Sequence, residues 1–152
     1  MLSTRLWSKA LITRTKVKLI DANVFIYAAG VQHPLRRPCI QVLEAVAEGI
    51  LEATTDVEVF QEILNYYQRE GRIDYGAEVF ANTIGVCPKP VMVSLETVRL
   101  ALDILRRHAT LQARDAVHAA VIREHGLEGI ISADQGFDKI DGLKRFDPKE
   151  FV

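Results

Sequence analysis

Four acidic residues, Asp21, Glu62, Asp115 and Asp134, stand where surface charge explains them poorly. Asp21 directly follows the aliphatic run Lys18-Leu-Ile20, and Asp134 directly follows Ile130-Ile-Ser-Ala133. Glu62 is flanked by Val59, Ile63 and Tyr66, and Asp115 heads a stripe of His118, Ala119 and Ile122, so helical spacing puts both acids on largely apolar faces. Each has an ordinary role when taken alone: Asp21 and Asp134 as turn or cap residues, Glu62 on a solvated rim, Asp115 paired with Arg114 or His118. Together, with no matching cluster of basic residues, they predict a carboxylate cage, because like charges that close repel unless a cation lies between them. Oxygen ligation without Cys or a His pair suits a hard divalent cation, Mg²⁺ or Mn²⁺, rather than zinc or copper. A cage of that kind can activate water and offset charge on a phosphoryl group, so phosphodiester hydrolysis is the expected reaction class.

The elements that must position these acids are legible as alternating short aliphatic runs and longer helical patterns, the signature of βαβ units around a parallel sheet. Candidate strands are Val17–Ile20, Ile50–Thr54, Val91–Ser94, Gly129–Ser132 and a weaker Leu143–Phe146. Helical patterns cover Arg37–Glu48, Asp56–Glu70, Asp74–Gly85, Ser94–His108 and Leu111–His125. Thr55-Asp-Val-Glu58 reads as a capping box, Ser94 as an N-cap, and Gly126 as a C-terminal stop. In an open parallel sheet the residues just beyond the carboxyl ends of the strands gather along one edge, which is where Asp21 and Asp134 fall.

Composition agrees with one ordinary domain: 152 residues, 49% apolar and 26% charged. The longest run free of Asp, Glu, Lys and Arg is Ala22 to Leu35, too short and too polar to span a bilayer. No membrane association and a cytoplasmic location are therefore expected. Cys39 and Cys87 lack a second Cys or His at a ligand-like interval, so both are expected to be reduced and packed. Residues 1–18 carry five basic and no acidic side chains, while the remainder holds 14 basic against 20 acidic. The acid-free, Ser/Thr-containing start has the look of an organelle transit peptide, but a retained basic arm over residues 1–16 is expected, followed by one domain over 17–152.

The segments Leu19-Ile-Asp-Ala-Asn-Val-Phe-Ile-Tyr-Ala28, Glu58-Val-Phe-Gln-Glu-Ile63, Gln112-Ala-Arg-Asp-Ala-Val-His-Ala-Ala120, Ile130-Ile-Ser-Ala-Asp-Gln-Gly-Phe-Asp138 and Gly142-Leu-Lys-Arg-Phe-Asp-Pro148 occur in an order and spacing that resembles the PIN-domain ribonucleases, most of all the prokaryotic VapC-type toxins. The resemblance implies a three-layer α/β/α fold with a five-stranded parallel sheet. It implies that Asp21, Glu62, Asp115 and Asp134 form the acidic quartet that binds Mg²⁺ or Mn²⁺ and positions the hydrolytic water of an endoribonuclease, leaving a 5′-phosphate and a 3′-hydroxyl. By the same resemblance Asn23 and Ser132 orient ligands or water, and Asp138 is either a fifth carboxylate just outside the cage or a surface acid. A small antitoxin filling the groove and homodimerisation are the partners it implies, with RNA as substrate. The arm before the first strand is longer than such chains usually carry.

An acidic pocket repels the phosphates it must cut, so neighbouring cations are required; Arg36, Arg37, Arg69, Arg72, Arg114, Lys139 and the arm are the candidates. His118, in an apolar stripe, is expected to pack or to steady a ligand rather than to act as a base. Tyr66, Tyr67 and Phe60 are expected to pack as well. The main competing reading is a non-catalytic PIN-like protein-interaction subunit. A phospho-acceptor enzyme of the haloacid dehalogenase type is disfavoured, because it needs a second Asp where this chain has Asn23.

Overall fold

The computed structural model describes residues 15–30 and 32–151. The basic arm expected over residues 1–16 lies outside these, apart from Thr15 and Lys16. The strands are β1 (Lys18–Ile20), β2 (Ala53–Thr54), β3 (Gly129–Ile131) and β4 (Arg145–Phe146). They form one parallel sheet in the order β2-β1-β3-β4, with Leu19 beside Ile130 and Ile20 beside Ile131. The helices are α1 (Ala22–Ala29), α2 (Arg36–Ala47), α3 (Val57–Arg69), α4 (Ile73–Val86), α5 (Leu95–Arg107) and α6 (Ala113–His125). Two single-turn 3-10 segments, Gln135–Lys139 and Pro148–Phe151, flank β4.

Strand alternation divides the core between the two faces of the sheet. Ile20 and Ile131 point into a cluster with Val24, Phe25, Val42, Val59 and Ile63 from α1, α2 and α3. Leu19 and Ile130 point the other way, among Ala101, Ile104 and the alanines Ala116, Ala119 and Ala120 of α5 and α6. The result is the expected α/β/α arrangement, with both central strands covered on both sides. Cys39 and Cys87 are free and buried, and loss of solvent pushes their thiols up to about 12 and about 11.

Two local expectations are corrected and one further helix is added. Val91–Ser94 is not a fifth strand: only Val91 pairs, in a single parallel bridge to Asp56. Its backbone bonds Thr55 O and Val57 N, and the ladder stops there because its partner has already turned into α3. The cap of α3 is Asp56 rather than Thr55: the Asp56 carboxylate accepts from Val59 N at 3.1 Å, while the Thr55 hydroxyl donates to Ile20 O on the neighbouring strand. And α1, capped by Asp21, fills an apolar stretch with no helical periodicity to announce it. Ser94 does cap α5, in a reciprocal box with Thr97, and Gly126 ends α6 at φ 61°, where a side chain would be strained.

Gly129 opens β3 hard against β4. A Cβ there would lie far inside van der Waals contact distance of Lys144 O, the oxygen that accepts the ladder bond from Ile130 N at 2.9 Å. Gly129→Ala is expected to cost about 2–3 kcal/mol through this overpacking. Urea unfolding checks it, and a loss below about 0.5 kcal/mol would show that the β3–β4 pair yields freely.

Candidate active site

Asp21 leaves β1 as the N-cap of α1, and the cap geometry fixes its carboxylate at the sheet edge. Oδ1 accepts from Ala22 N at 2.8 Å. Oδ2 accepts from the Ser132 hydroxyl at 2.6 Å and from Asn23 Nδ2 at 3.1 Å. Because β1 and β3 are neighbours, Ser132 lies directly across from Asp21, and its oxygen also accepts from Asn23 Nδ2 and from Asp134 N. Asn23 Oδ1 in turn takes Ala133 N at 3.3 Å, so the two strand exits are tied together by polar side chains. Burial raises the pKa of Asp21, and nearby Glu62 adds to the rise, while His118 and the Ser132 and Ala22 hydrogen bonds pull it down.

Glu62 is reached from the opposite side by His118. The buried imidazole of α6 bridges two carboxylates of α3, with Nδ1 2.7 Å from Asp56 Oδ2 and Nε2 2.6 Å from Glu62 Oε1. Asp21 Oδ1 lies 3.7 Å from the same Nε2. Burial alone works against an imidazolium here, but the charge and hydrogen bond of Asp56, the bond to Glu62 and the charge of Asp21 together hold His118 well above its ordinary pKa. With both nitrogens engaged, His118 steadies Glu62 and has no lone pair to spare. Sequence reasoning left His118 either to pack or to steady a ligand, and missed Asp56, which it read as the first residue of the helix behind a Thr55 cap. The one available signal was an acid adjoining an apolar helix start with no basic neighbour.

Asp115 enters from the first turn of α6 and Asp134 from the turn after β3. Asp21, Glu62, Asp115 and Asp134 all line one cleft of about 390 Å³, together with Asn23, Tyr27, His33, Tyr66, Arg69 and Arg114. The expected convergence of strand ends and helix faces is thus present in the fold. Asp134 Oδ1 accepts from Gly136 N, capping the 3-10 turn. Asp138 faces elsewhere: its carboxylate takes two hydrogen bonds from Arg145, at 2.9 and 3.2 Å, on the exposed side of that turn. Of the candidate cations, Arg69 and Arg114 line the cleft; Lys139, with Arg107, lines a second hollow that shares Asp115 and Asp134; Arg36 and Arg37 line a third beyond His33. Arg72 lies over the Tyr75 ring instead.

The donor chemistry fits a hard cation. One atom each of Asp21, Glu62 and His118 lie within 4.8 Å of one another, and with the imidazole occupied the remaining donors are carboxylate oxygens. Asp115 lies outside that close group but still feels its charge. Burial first, then the charges of Asp21 and Asp134, push its pKa up to about 6. An acid whose folded-state pKa is raised keeps its proton longer than the unfolded chain does, so the cation-free fold should lose stability as the pH climbs from 3.8 to about 6. The loss should be about 1–2 kcal/mol once solvent screening of the part-exposed carboxyl is allowed for. Denaturation midpoints in chelator across this window check it; a flat profile would mean that neither burial nor the neighbouring charges act on Asp115.

Comparison with known proteins places this geometry in context. The family model for the PIN domain matches residues 18–143. Over 127 residues the chain is 36% identical to the VapC ribonuclease Mb1869c of Mycobacterium bovis and equally to ribonuclease VapC13 of Mycobacterium tuberculosis, spanning 84% of this chain and 97% of each relative. Ribonuclease VapC7 of Mycobacterium tuberculosis is 34% identical over 120 residues, covering 78% of this chain and 83% of that one. Among solved structures, a chain of VapBC2 from Rickettsia felis bound to a DNA fragment from their promoter superposes with a TM-score of 0.67. That match covers 86% of this chain and 99% of the other at 13% identity, a likeness of fold.

Proposed function

Because this chain belongs to the PIN-domain family, we propose that it is a metal-dependent endoribonuclease, the toxin of a toxin–antitoxin pair. The observation that carries this reading is the arrival of Asp21, Glu62, Asp115 and Asp134 in one cleft from four separate segments. Asp21 and Asp115 would hold Mg²⁺ or Mn²⁺, with Glu62 and Asp134 completing the cage directly or through water. A divalent ion bound there supplies an acidified water and offsets charge on the phosphoryl group. The chain's own residues do the rest. Ser132 and Asn23 hold Asp21 in one orientation, and His118, backed by Asp56, does the same for Glu62. Arg69 and Arg114 on the cleft wall are placed to take flanking phosphates that the acids would repel.

Purified chain should cleave RNA with Mg²⁺ or Mn²⁺, leave 5′-phosphate ends, and stop when the ion is chelated. Absence of cleavage with either ion would overturn the reading in favour of the interaction subunit. The names of the VapC relatives and the VapBC neighbour support a small antitoxin as partner; a basic side chain set by it among the acids would neutralise the cleft. Leu95, Val98 and Leu102 on α5, with Met92 just before it, leave an apolar ridge exposed, which supports a homodimer. No helix among the described residues is long and apolar enough to cross a membrane.

A further inference from the structure

His33 is exposed, yet its ring is held in one place. It stacks on Tyr27 with 4.5 Å between centroids and 25° between planes, and its Nδ1 accepts a hydrogen bond from Leu35 N at 3.1 Å. Tyr27 is itself anchored: it packs against the core, its carbonyl accepts from Gly30 N, and the end of α1 is pinned by the Tyr75 hydroxyl donating to Ala29 O. Phe60 and Tyr67 are buried, whereas Tyr27 is half-buried and His33 exposed, so the stacked pair presents an ordered aromatic surface at the edge of the core. Its location is specific. Tyr27 and His33 line the cleft that holds the four acids, and His33 also lines the adjoining hollow, where Arg36 and Arg37 stand.

A flat ring fixed before binding loses little entropy when a second ring lies on it. Bases of single-stranded nucleic acid stack on such rings, whereas a base inside a duplex already has both faces covered. Building on the nuclease reading, we propose that the Tyr27–His33 pair is a nucleobase-stacking platform that seats an unpaired nucleotide next to the scissile phosphate, with Arg36 and Arg37 receiving the phosphate beyond it. The platform makes an unpaired base at that position a requirement for cleavage and gives the enzyme a preference for single-stranded segments.

The test uses the full chain with Asp115→Asn, in Mg²⁺, and short single-stranded RNAs carrying the fluorescent adenine analogue 2-aminopurine at successive positions around the mapped cut. Stacking should quench one position adjacent to the cut. Adding His33→Ala should abolish that quench and weaken binding by about tenfold, while His33→Phe, which keeps the flat ring and loses the hydrogen bond, should retain both. In the active chain His33→Ala should raise KM by about the same factor with kcat little changed. A His33→Ala variant that binds and quenches like its parent would overturn the platform, and that is also the outcome if the ring serves a protein partner instead. Equal losses in His33→Ala and His33→Phe would overturn it too, by assigning the effect to the hydrogen bond. If wild-type chain cleaves RNA while His33→Ala has unchanged KM, the platform fails alone; if wild-type chain shows no metal-dependent cleavage, the nuclease reading fails and the platform with it.

Discussion

Asp115→Asn should lower metal-dependent RNA cleavage by roughly 10²–10³-fold, the scale on which one preorganised charged group acts at a reacting centre. Among the described residues the Asp115 carboxylate accepts no hydrogen bond, so an amide of the same shape removes charge without orphaning a donor. Its burial and the charges of Asp21 and Asp134 work against the ionised form. The substitution should therefore stabilise the cation-free fold at neutral pH by about 1 kcal/mol while removing most of the stabilisation that Mn²⁺ confers on the wild type. Opposite signs for activity and stability separate a working acid from a structural one. Thermal melts with and without Mn²⁺, run beside a cleavage assay, measure both. A variant that cleaves RNA at the wild-type rate would remove Asp115 from the reacting centre.

His118→Ala should act in the other direction and cost about 3–5 kcal/mol of folding stability, a large share of what a domain of this size possesses. The reason is the carboxylate left behind. Asp56 is fully buried, and once its 2.7 Å bond to Nδ1 is gone, its carboxylate keeps only the cap bond from Val59 N among the described residues. Asp56→Asn in the same chain should recover part of the loss, because the stranded charge goes with it; a double-mutant cycle by urea unfolding isolates that coupling. The pH dependence has a defined sign. A histidine whose folded-state pKa is raised contributes fully below the unfolded value of 6.5 and loses its contribution only as the pH rises through the higher folded value. A cost below about 1 kcal/mol would show that Asp56 and Glu62 do not depend on the imidazole.

Much of the site is written locally. Asp21 and Asp134 each follow an aliphatic run, and a parallel sheet brings the ends of its strands to one edge whatever the rest of the chain does. Glu62 and Asp115 are readable from helical spacing, because periodicity decides which face a side chain shares with apolar neighbours. Other features are not local. Val91–Ser94 has the composition of a strand, but whether it pairs depends on a partner that becomes α3 at Val57. Asp138 carries the same charge as the quartet and is claimed by Arg145, seven residues on, at a distance set by how β4 lies beside β3.

The amino-acid sequence by itself determined the alternation of elements and the four acids brought toward the sheet's carboxyl edge, since these follow from period and chain direction. Only the tertiary structure decided that Asp56 faces a histidine 62 residues away, that this histidine steadies Glu62, and that Tyr27 and His33 form an ordered ring pair beside the acids. Hydrogen bonds and stacked rings require agreement within fractions of an ångström between segments whose separation along the chain carries no distance information. That agreement comes from the packing of α3, α6 and α1 against the sheet.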